Sequence, residues 1–187
     1  MRLVSLLAVA LAATAHAQVS NWSTLAPALG GSAPVAGGFG APWETQPGLV
    51  VRLESPAYGG HARAEIRLAE VTAPADDDAV PDFVLTAPTV GWGPSADAGP
   101  LRLGAGARVG IAQFRFDDRA AGNFQNETEL AVGVWGSAAL RLGGRVEAWA
   151  EADVTRITLA DPATLASVSG GLAVRLDTPG WLREVLR

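Results

Sequence analysis

The chain has 187 residues, a formal net charge of −5 and no cysteine. An acidic chain without a basic footprint excludes a nucleic-acid binder, and the lack of cysteine excludes disulfides, zinc–thiolate centres and cysteine nucleophiles. All 14 basic residues are arginine, and their spacing along the chain says more than their number.

Arg2, the apolar stretch from Leu3 to Thr14 and the small residues of Ala15-His16-Ala17 read as a Sec-type export signal cleaved before Gln18. The stretch is shorter than the roughly 20 residues of a membrane helix. Without Arg2 the chain carries 13 basic against 19 acidic residues, a net of −6 (13 − 19). Beyond the signal no apolar run is long enough for a helical span. The expected division is a signal peptide at 1–17, an outer-membrane β-barrel at 18–176 and a C-terminal periplasmic tail at 177–187.

A first strand is expected between Trp22 and Trp43, with limits blurred by Pro27, Pro34 and Pro42. Leu49, Val51 and Leu53 then alternate with Val50, Arg52 and Glu54. A turn at Ser55 to Gly60 leads to Ala62, Ala64, Ile66 and Leu68, opposite His61, Arg63, Glu65 and Arg67. Phe83 to Trp92 is strand-like without a readable phase, and Pro88 inside it predicts a bulge or a strained strand. From Leu101 the two-residue period of a strand becomes regular. Leu101, Leu103, Ala105, Ala107, Val109 and Ile111 alternate with Arg102, Gly104, Gly106, Arg108, Gly110 and Ala112. Leu130, Val132, Val134, Ala138, Leu140 and Leu142 share a face, opposite Glu129, Ala131, Trp135, Ser137, Ala139 and Arg141. Gly143-Gly144 predicts a two-residue hairpin. Val146 to Val154 follows, opposite Glu147, Trp149, Glu151 and Asp153, then a turn at Asp161-Pro162. A last strand runs from Ser167 to Leu176, with Arg175 on its polar face.

These segments predict an all-β fold, an eight-stranded antiparallel up-and-down transmembrane β-barrel. Alternation alone also fits a soluble periplasmic lipocalin-like barrel binding an apolar ligand, with its apolar face inward. Four features favour a membrane barrel with its apolar face outward. Its strands exceed the roughly 9–11 residues that cross a bilayer. Its polar face balances Arg52, Arg63, Arg67, Arg102, Arg108, Arg141 and Arg175 against Glu54, Glu65, Glu129, Glu147, Glu151 and Asp153, as a packed ionic lumen must. The stretches Gly31 to Pro47, Thr72 to Pro81 and Asp117 to Asn126 are longer than the turns of the other end, as outer loops are. The export signal leads to the cell outer membrane. Against this stand an aromatic content of 6%, thin for two interfacial girdles, and an alanine-rich apolar face.

The signal end Ala15-His16-Ala17, the strand RLGAGARVGIAQFRF, the hairpin LRLGGRVEAWAEADVTRI and the ending TPGWLREVL resemble the small eight-stranded outer-membrane β-barrel proteins, of the kind common in Bacteroidetes-like and Rhodothermus-like bacteria. The resemblance covers the whole mature chain. It implies contact with outer-membrane lipid and with the barrel-insertion machinery during biogenesis. The chain departs from the family at its end. Members usually finish on a strand with a terminal aromatic residue, whereas here the rhythm stops at Leu176 and Asp177 to Arg187 follow, with Trp181 the only aromatic. That predicts an internal insertion signal or a short amphipathic helix under the barrel.

Chemical sites are sparse. Some small membrane barrels hydrolyse or transfer lipid acyl chains with a serine, a histidine base and a third partner. Here His61 is the one histidine of the mature chain and Ser55 its nearest serine in sequence. A rim histidine paired with a carboxylate is the plainer reading. Glu147, Glu151 and Asp153 invite an acid/base reading, but at two- and four-residue spacing on one face they serve equally as arginine partners. Asp76-Asp77-Asp78 lacks the spacing of a calcium loop. The expectation is a barrel with no cofactor, a lumen filled by an arginine–carboxylate network and a structural or surface-interaction role with an unspecified ligand. A lipid-modifying hydrolase is the alternative.

Overall fold

The structure is a computed structural model that describes residues 21–40, 42–73, 80–117 and 125–186. The signal segment 1–17 and Asp76 to Asp78 lie outside them. Eight long strands form the barrel: β1 Thr24–Gly38, β3 Gly48–Ala57, β4 Gly60–Thr72, β5 Phe83–Ala98, β6 Leu101–Phe116, β7 Glu127–Gly143, β8 Val146–Ile157 and β9 Ala163–Val174. Two-residue strands, β2 Glu44–Thr45 and β10 Leu176–Asp177, pair with β4 and β1. Each long strand is antiparallel to its neighbours, and β1 pairs with β9 from Ala28↔Ala173 to Gly38↔Thr164, closing the sheet. Closure pairs each of the eight long strands on both sides.

The orientation decides between the two barrels that alternation allows. On β6, Leu103, Val109 and Ile111 are exposed while Arg108 is buried. On β8, Val154 is exposed while Glu147, Glu151 and Asp153 are buried. The apolar face is outside and the charged face inside, the reverse of a soluble ligand-binding barrel. From Leu101 to Ile111 the outward positions of β6 span about 33 Å of strand, which at a tilt of about 40° covers the roughly 25 Å height of a bilayer's apolar band.

Strand ends depart from the sequence expectation. β3 runs through Ser55 and Pro56 to Ala57, leaving a two-residue turn at Tyr58-Gly59. Both turn residues have positive φ, 52° and 75°, the pattern of a primed hairpin turn. The Tyr58 N–H donates to Asn21 Oδ1 at 2.6 Å, which helps hold a non-glycine residue there. The hairpin predicted at Gly143-Gly144 turns one residue later, at Gly144-Arg145, with a register shift between Arg141 and Gly143. The bulge expected at Pro88 is absent: Thr86 lies opposite Gln113 and Thr89 opposite Gly110, one register on both sides. Proline without an N–H interrupts the ladder to β6 without adding a residue. β9 ends at Val174, and the tail carries β10 and a short helix, α1 Gly180–Val185.

Both termini of the barrel and the turns at Tyr58-Gly59, Gly99-Pro100 and Gly144-Arg145 lie at one end, the short-turn end. The connections between β1 and β3, β4 and β5, β6 and β7, and β8 and β9 lie at the other. There the inner face changes character. Val71, Phe83, Leu85, Ala112, Phe114, Ala131, Ile157 and Ala163 form a buried apolar cluster, with Phe39, Trp43 and Phe116 packed on it. Phe83 sits in contact with four rings, Phe39 at 5.2 Å, Trp43 at 5.8 Å, Phe114 at 5.5 Å and Phe116 at 5.1 Å. The Trp43 indole N–H also donates to Pro81 O at 3.0 Å, tying the first long connection to the second.

Candidate functional site

The lumen below this aromatic cap is ionic. Strands β3, β4, β6 and β8 alternate along the lumen, so every second residue projects inward, and only the end of β3 from Glu54 to Ala57 is buried on both faces. At these positions stand five arginines, Arg52, Arg63, Arg67, Arg102 and Arg108, and five carboxylates, Glu54, Glu65, Glu147, Glu151 and Asp153, each side chain no more than 14% exposed. Glu151 is the hub. It receives Arg52 Nη1 at 2.9 Å, Arg67 Nη2 at 3.1 Å, Arg108 Nη1 at 3.4 Å and a short contact from Arg63 Nη1. Glu54 takes Arg52 at 3.3 Å, Arg63 at 2.5 Å and Arg102 at 3.2 Å. Glu65 takes Arg67 at 2.6 Å and Arg108 at 3.0 Å. Asp153 takes Arg67 at 2.7 Å and is bonded by Arg108 Nη2. At the short-turn rim Arg175 and Arg141 reach Glu147 at 3.2 and 3.6 Å, and Arg141 also reaches Asp97 at 3.1 Å. Each of these buried charges thus has at least two partners of opposite sign, which burial requires, since an unpaired one costs several kcal/mol.

Two tryptophans complete the packing. Arg52 lies 3.9 Å over the ring of Trp149, and Arg63 lies 3.9 Å over that of Trp135. Each ring rests on a glycine. A Cβ on Gly30 would stand 2.6 Å from Trp149 Cζ2, and one on Gly106 would stand 2.5 Å from Trp135 Cζ2. The order glycine backbone, indole, guanidinium therefore occurs twice across the lumen. A cavity of about 70 Å³ remains between the network and the aromatic cap, beside Arg67, Arg108, Asp153, Thr155 and Ser167.

Of the residues expected in the network, the structure brings together Arg52, Arg63, Glu65, Arg67, Arg102, Arg108, Glu147, Glu151 and Asp153, with Arg141 and Arg175 at the rim. Glu129 is set apart. It is half-buried at the opposite end of β7, near the apolar cluster, and makes no ion pair among the described residues. The ionic face ends before Glu129 because the inward column turns apolar at Ala131. Period two alone does not reveal this switch.

His61 pairs with Ser95, not with Ser55. Its Nδ1 is 2.7 Å from Ser95 Oγ and its Nε2 is 3.3 Å from Arg102 Nη1. Arginine only donates, so Nε2 accepts and the imidazole proton sits on Nδ1, donated to Ser95. In this tautomer the bond runs from His61 to Ser95, the reverse of the serine-to-histidine bond of a nucleophilic pair. Ser55 Oγ donates to Thr24 O at 2.8 Å. Glu147, Glu151 and Asp153 each engage at least two arginines. No group of three His, Cys, Asp or Glu side chains is placed to hold a metal ion among them.

No protein-family model and no curated protein matches this sequence. Solved structures do share its fold. Neisserial surface protein A superposes with a TM-score of 0.56 at 16% identity, over 84% of this chain and 99% of that one. The N-terminal β-barrel domain of Pseudomonas aeruginosa OprF superposes with a TM-score of 0.52 at 10% identity, over 84% of this chain and 100% of that domain. Both are small eight-stranded outer-membrane barrels, whereas a Bacteroidetes-like or Rhodothermus-like source finds no support among the matches. At these identities the likeness is one of fold: the chain is an eight-stranded antiparallel barrel of the architecture found in bacterial outer membranes.

Proposed function

We propose that this protein is an integral barrel of the cell outer membrane, reached after Sec-type export, with a filled lumen and a structural or surface-interaction role. The observation that carries the reading is the coupling of an apolar exterior to a charge-saturated interior. In water the exterior would expose Leu29, Leu53, Ile66, Val90, Leu103, Val134 and Leu172, each more than 40% exposed, as one belt. Soluble monomers rarely expose apolar patches beyond a few hundred Å², and lipid is the solvent that suits such a belt.

With both barrel termini at the short-turn end, that end faces the periplasm and the long connections face outward. Outer-membrane lipid then covers the belt, and the insertion machinery handles a chain whose last barrel strand ends without an aromatic residue. The ion pairs and the aromatic cap close the lumen in series, so the barrel is not an open pore. Surface interaction belongs to the long-loop end, through a ligand the geometry leaves unspecified.

Membrane fractionation followed by planar-bilayer recording tests both parts. The protein should sediment with the outer membrane, require detergent for extraction and show no stepwise conductance. Recovery from the soluble periplasm without detergent would overturn the membrane placement, and resolved single-channel steps would overturn the filled lumen.

A further inference from the structure

The tail beyond the barrel holds apolar surface that the barrel itself does not use. In α1, Trp181 and Val185 are four residues apart and share one helix face. They are 68% and 76% exposed. Leu182 and Leu186, also four apart, are half-buried. The helix therefore has one apolar edge turned toward the protein and a second turned away. A six-residue helix does not hold in water by propensity alone, and this one is tied down. Leu176 and Asp177 pair with Leu25 and Thr24 of β1. Thr178 is 1% exposed, its N–H donates to Ser23 O at 3.1 Å, and its carbonyl accepts from Arg183 Nε at 2.9 Å. Pro179 then opens the helix.

Those ties fix the start of the helix at the short-turn rim, where the belt ends. Leu176 is 42% exposed on the path between the two. Trp92 and Tyr58, exposed on the same rim, are the belt's aromatic border there. Tryptophan prefers the membrane–water boundary because its ring is apolar and its N–H polar. Arg183 and Glu184, both exposed, give the helix a polar side.

We propose that the tail is a second membrane contact: α1 lies on the periplasmic phospholipid leaflet beside the barrel, with Trp181 and Val185 inserted at the depth of the headgroups. The proposal rests on the membrane reading of the belt. An anchored tail of this kind fixes the periplasmic rim at the bilayer surface.

Because the chain lacks cysteine, single reporters can be placed cleanly. Val185→Cys, Trp181→Cys, Glu184→Cys and Val134→Cys, each carrying a nitroxide, are refolded into vesicles of phosphatidylethanolamine and phosphatidylglycerol. Retained heat-modifiable migration certifies each barrel before collision with oxygen and with a water-soluble nickel chelate is measured. The proposal expects labels at 185 and 181 to be several-fold less accessible to nickel than the label at 184, while remaining open to oxygen. Equal nickel access at 181, 184 and 185, with the label at 134 in lipid, overturns the tail contact and leaves the belt standing. Shielding of 181 and 185 from both reagents means protein contact and also overturns it. A label at 134 in water overturns the membrane reading itself.

Discussion

Glutamine in place of Glu151 removes one charge and almost no volume, so its cost isolates the electrostatics of the lumen. The Glu151 side chain is fully buried, and Arg52, Arg63, Arg67 and Arg108 converge on it. None of the four loses its last acid in Glu151→Gln. Arg52 and Arg63 keep Glu54 at 3.3 and 2.5 Å, Arg67 keeps Glu65 at 2.6 Å and Asp153 at 2.7 Å, and Arg108 keeps Glu65 at 3.0 Å and Asp153. The substitution thus leaves four guanidinium groups with three carboxylates, one uncompensated buried charge and not four broken pairs. The expected loss is that of a single buried partner, about 3–5 kcal/mol.

The measurement is urea unfolding of the barrel refolded into phospholipid vesicles, followed by tryptophan fluorescence, with Asp97→Asn as reference. Asp97 also pairs with an arginine, Arg141 at 3.1 Å, but the two side chains are 54% and 39% exposed, so that change should cost about 1 kcal/mol or less. Equal costs for the two substitutions would refute the claim that the network is desolvated and holds the barrel. Pairing Glu151→Gln with Arg52→Met restores the charge count. The double variant should lie above the sum of the singles by about 0.5–3 kcal/mol, and strict additivity would count against a shared network.

Three further outcomes use the same unfolding assay. Gly106→Ala should cost about 1–3 kcal/mol, because the new methyl would meet Trp135 Cζ2 at 2.5 Å and Trp92 O at 2.6 Å; Gly136→Ala, with no atom within 4 Å of its Cβ, should stay within about 0.5 kcal/mol. Trp149→Leu should lower stability by about 2 kcal/mol or more, since Arg52 loses the ring 3.9 Å beneath it, and an unchanged urea midpoint would discount the stack. Val134→Arg separates lipid from water: Val134 is 59% exposed in mid-strand, so arginine there should cost about 2–4 kcal/mol in a bilayer, against a near-neutral surface change if that face were wet.

The barrel and most of its ionic lumen were legible because period two sorts residues onto faces without any knowledge of contacts. Arg102 and Arg108 on β6 fall on the same side as Glu147, Glu151 and Asp153 on β8 by counting alone, and closure brings those strands across one lumen. What counting cannot give is the third dimension. It offered Ser55 as the nearest serine to His61 and a carboxylate as the plainer partner, whereas the sheet register sets His61 beside Gly93 on β5, two residues from Ser95. It also could not phase Phe83 to Trp92, because there both faces are apolar: Phe83 and Leu85 are buried while Val84, Val90 and Trp92 are exposed.

That failure of phase marks a physical boundary. Toward the long-loop end the inward columns pass from charged to apolar, Arg67 to Val71 on β4 and Arg108 to Phe114 on β6. The outward columns change the opposite way, Leu68 to Glu70, Ile111 to Gln113 and Arg115, and Val154 to Arg156. Where the exterior of such a barrel meets water its outward positions turn polar, and the inward positions there are free to form an apolar core. The exchange occurs on β4, β6 and β8 at the same end, where the aromatic cap begins. The upper edge of the apolar belt is therefore written in the sequence as a reversal of polarity on these strands, and Glu129, on the inward face beyond that reversal, falls outside the ionic network for this reason.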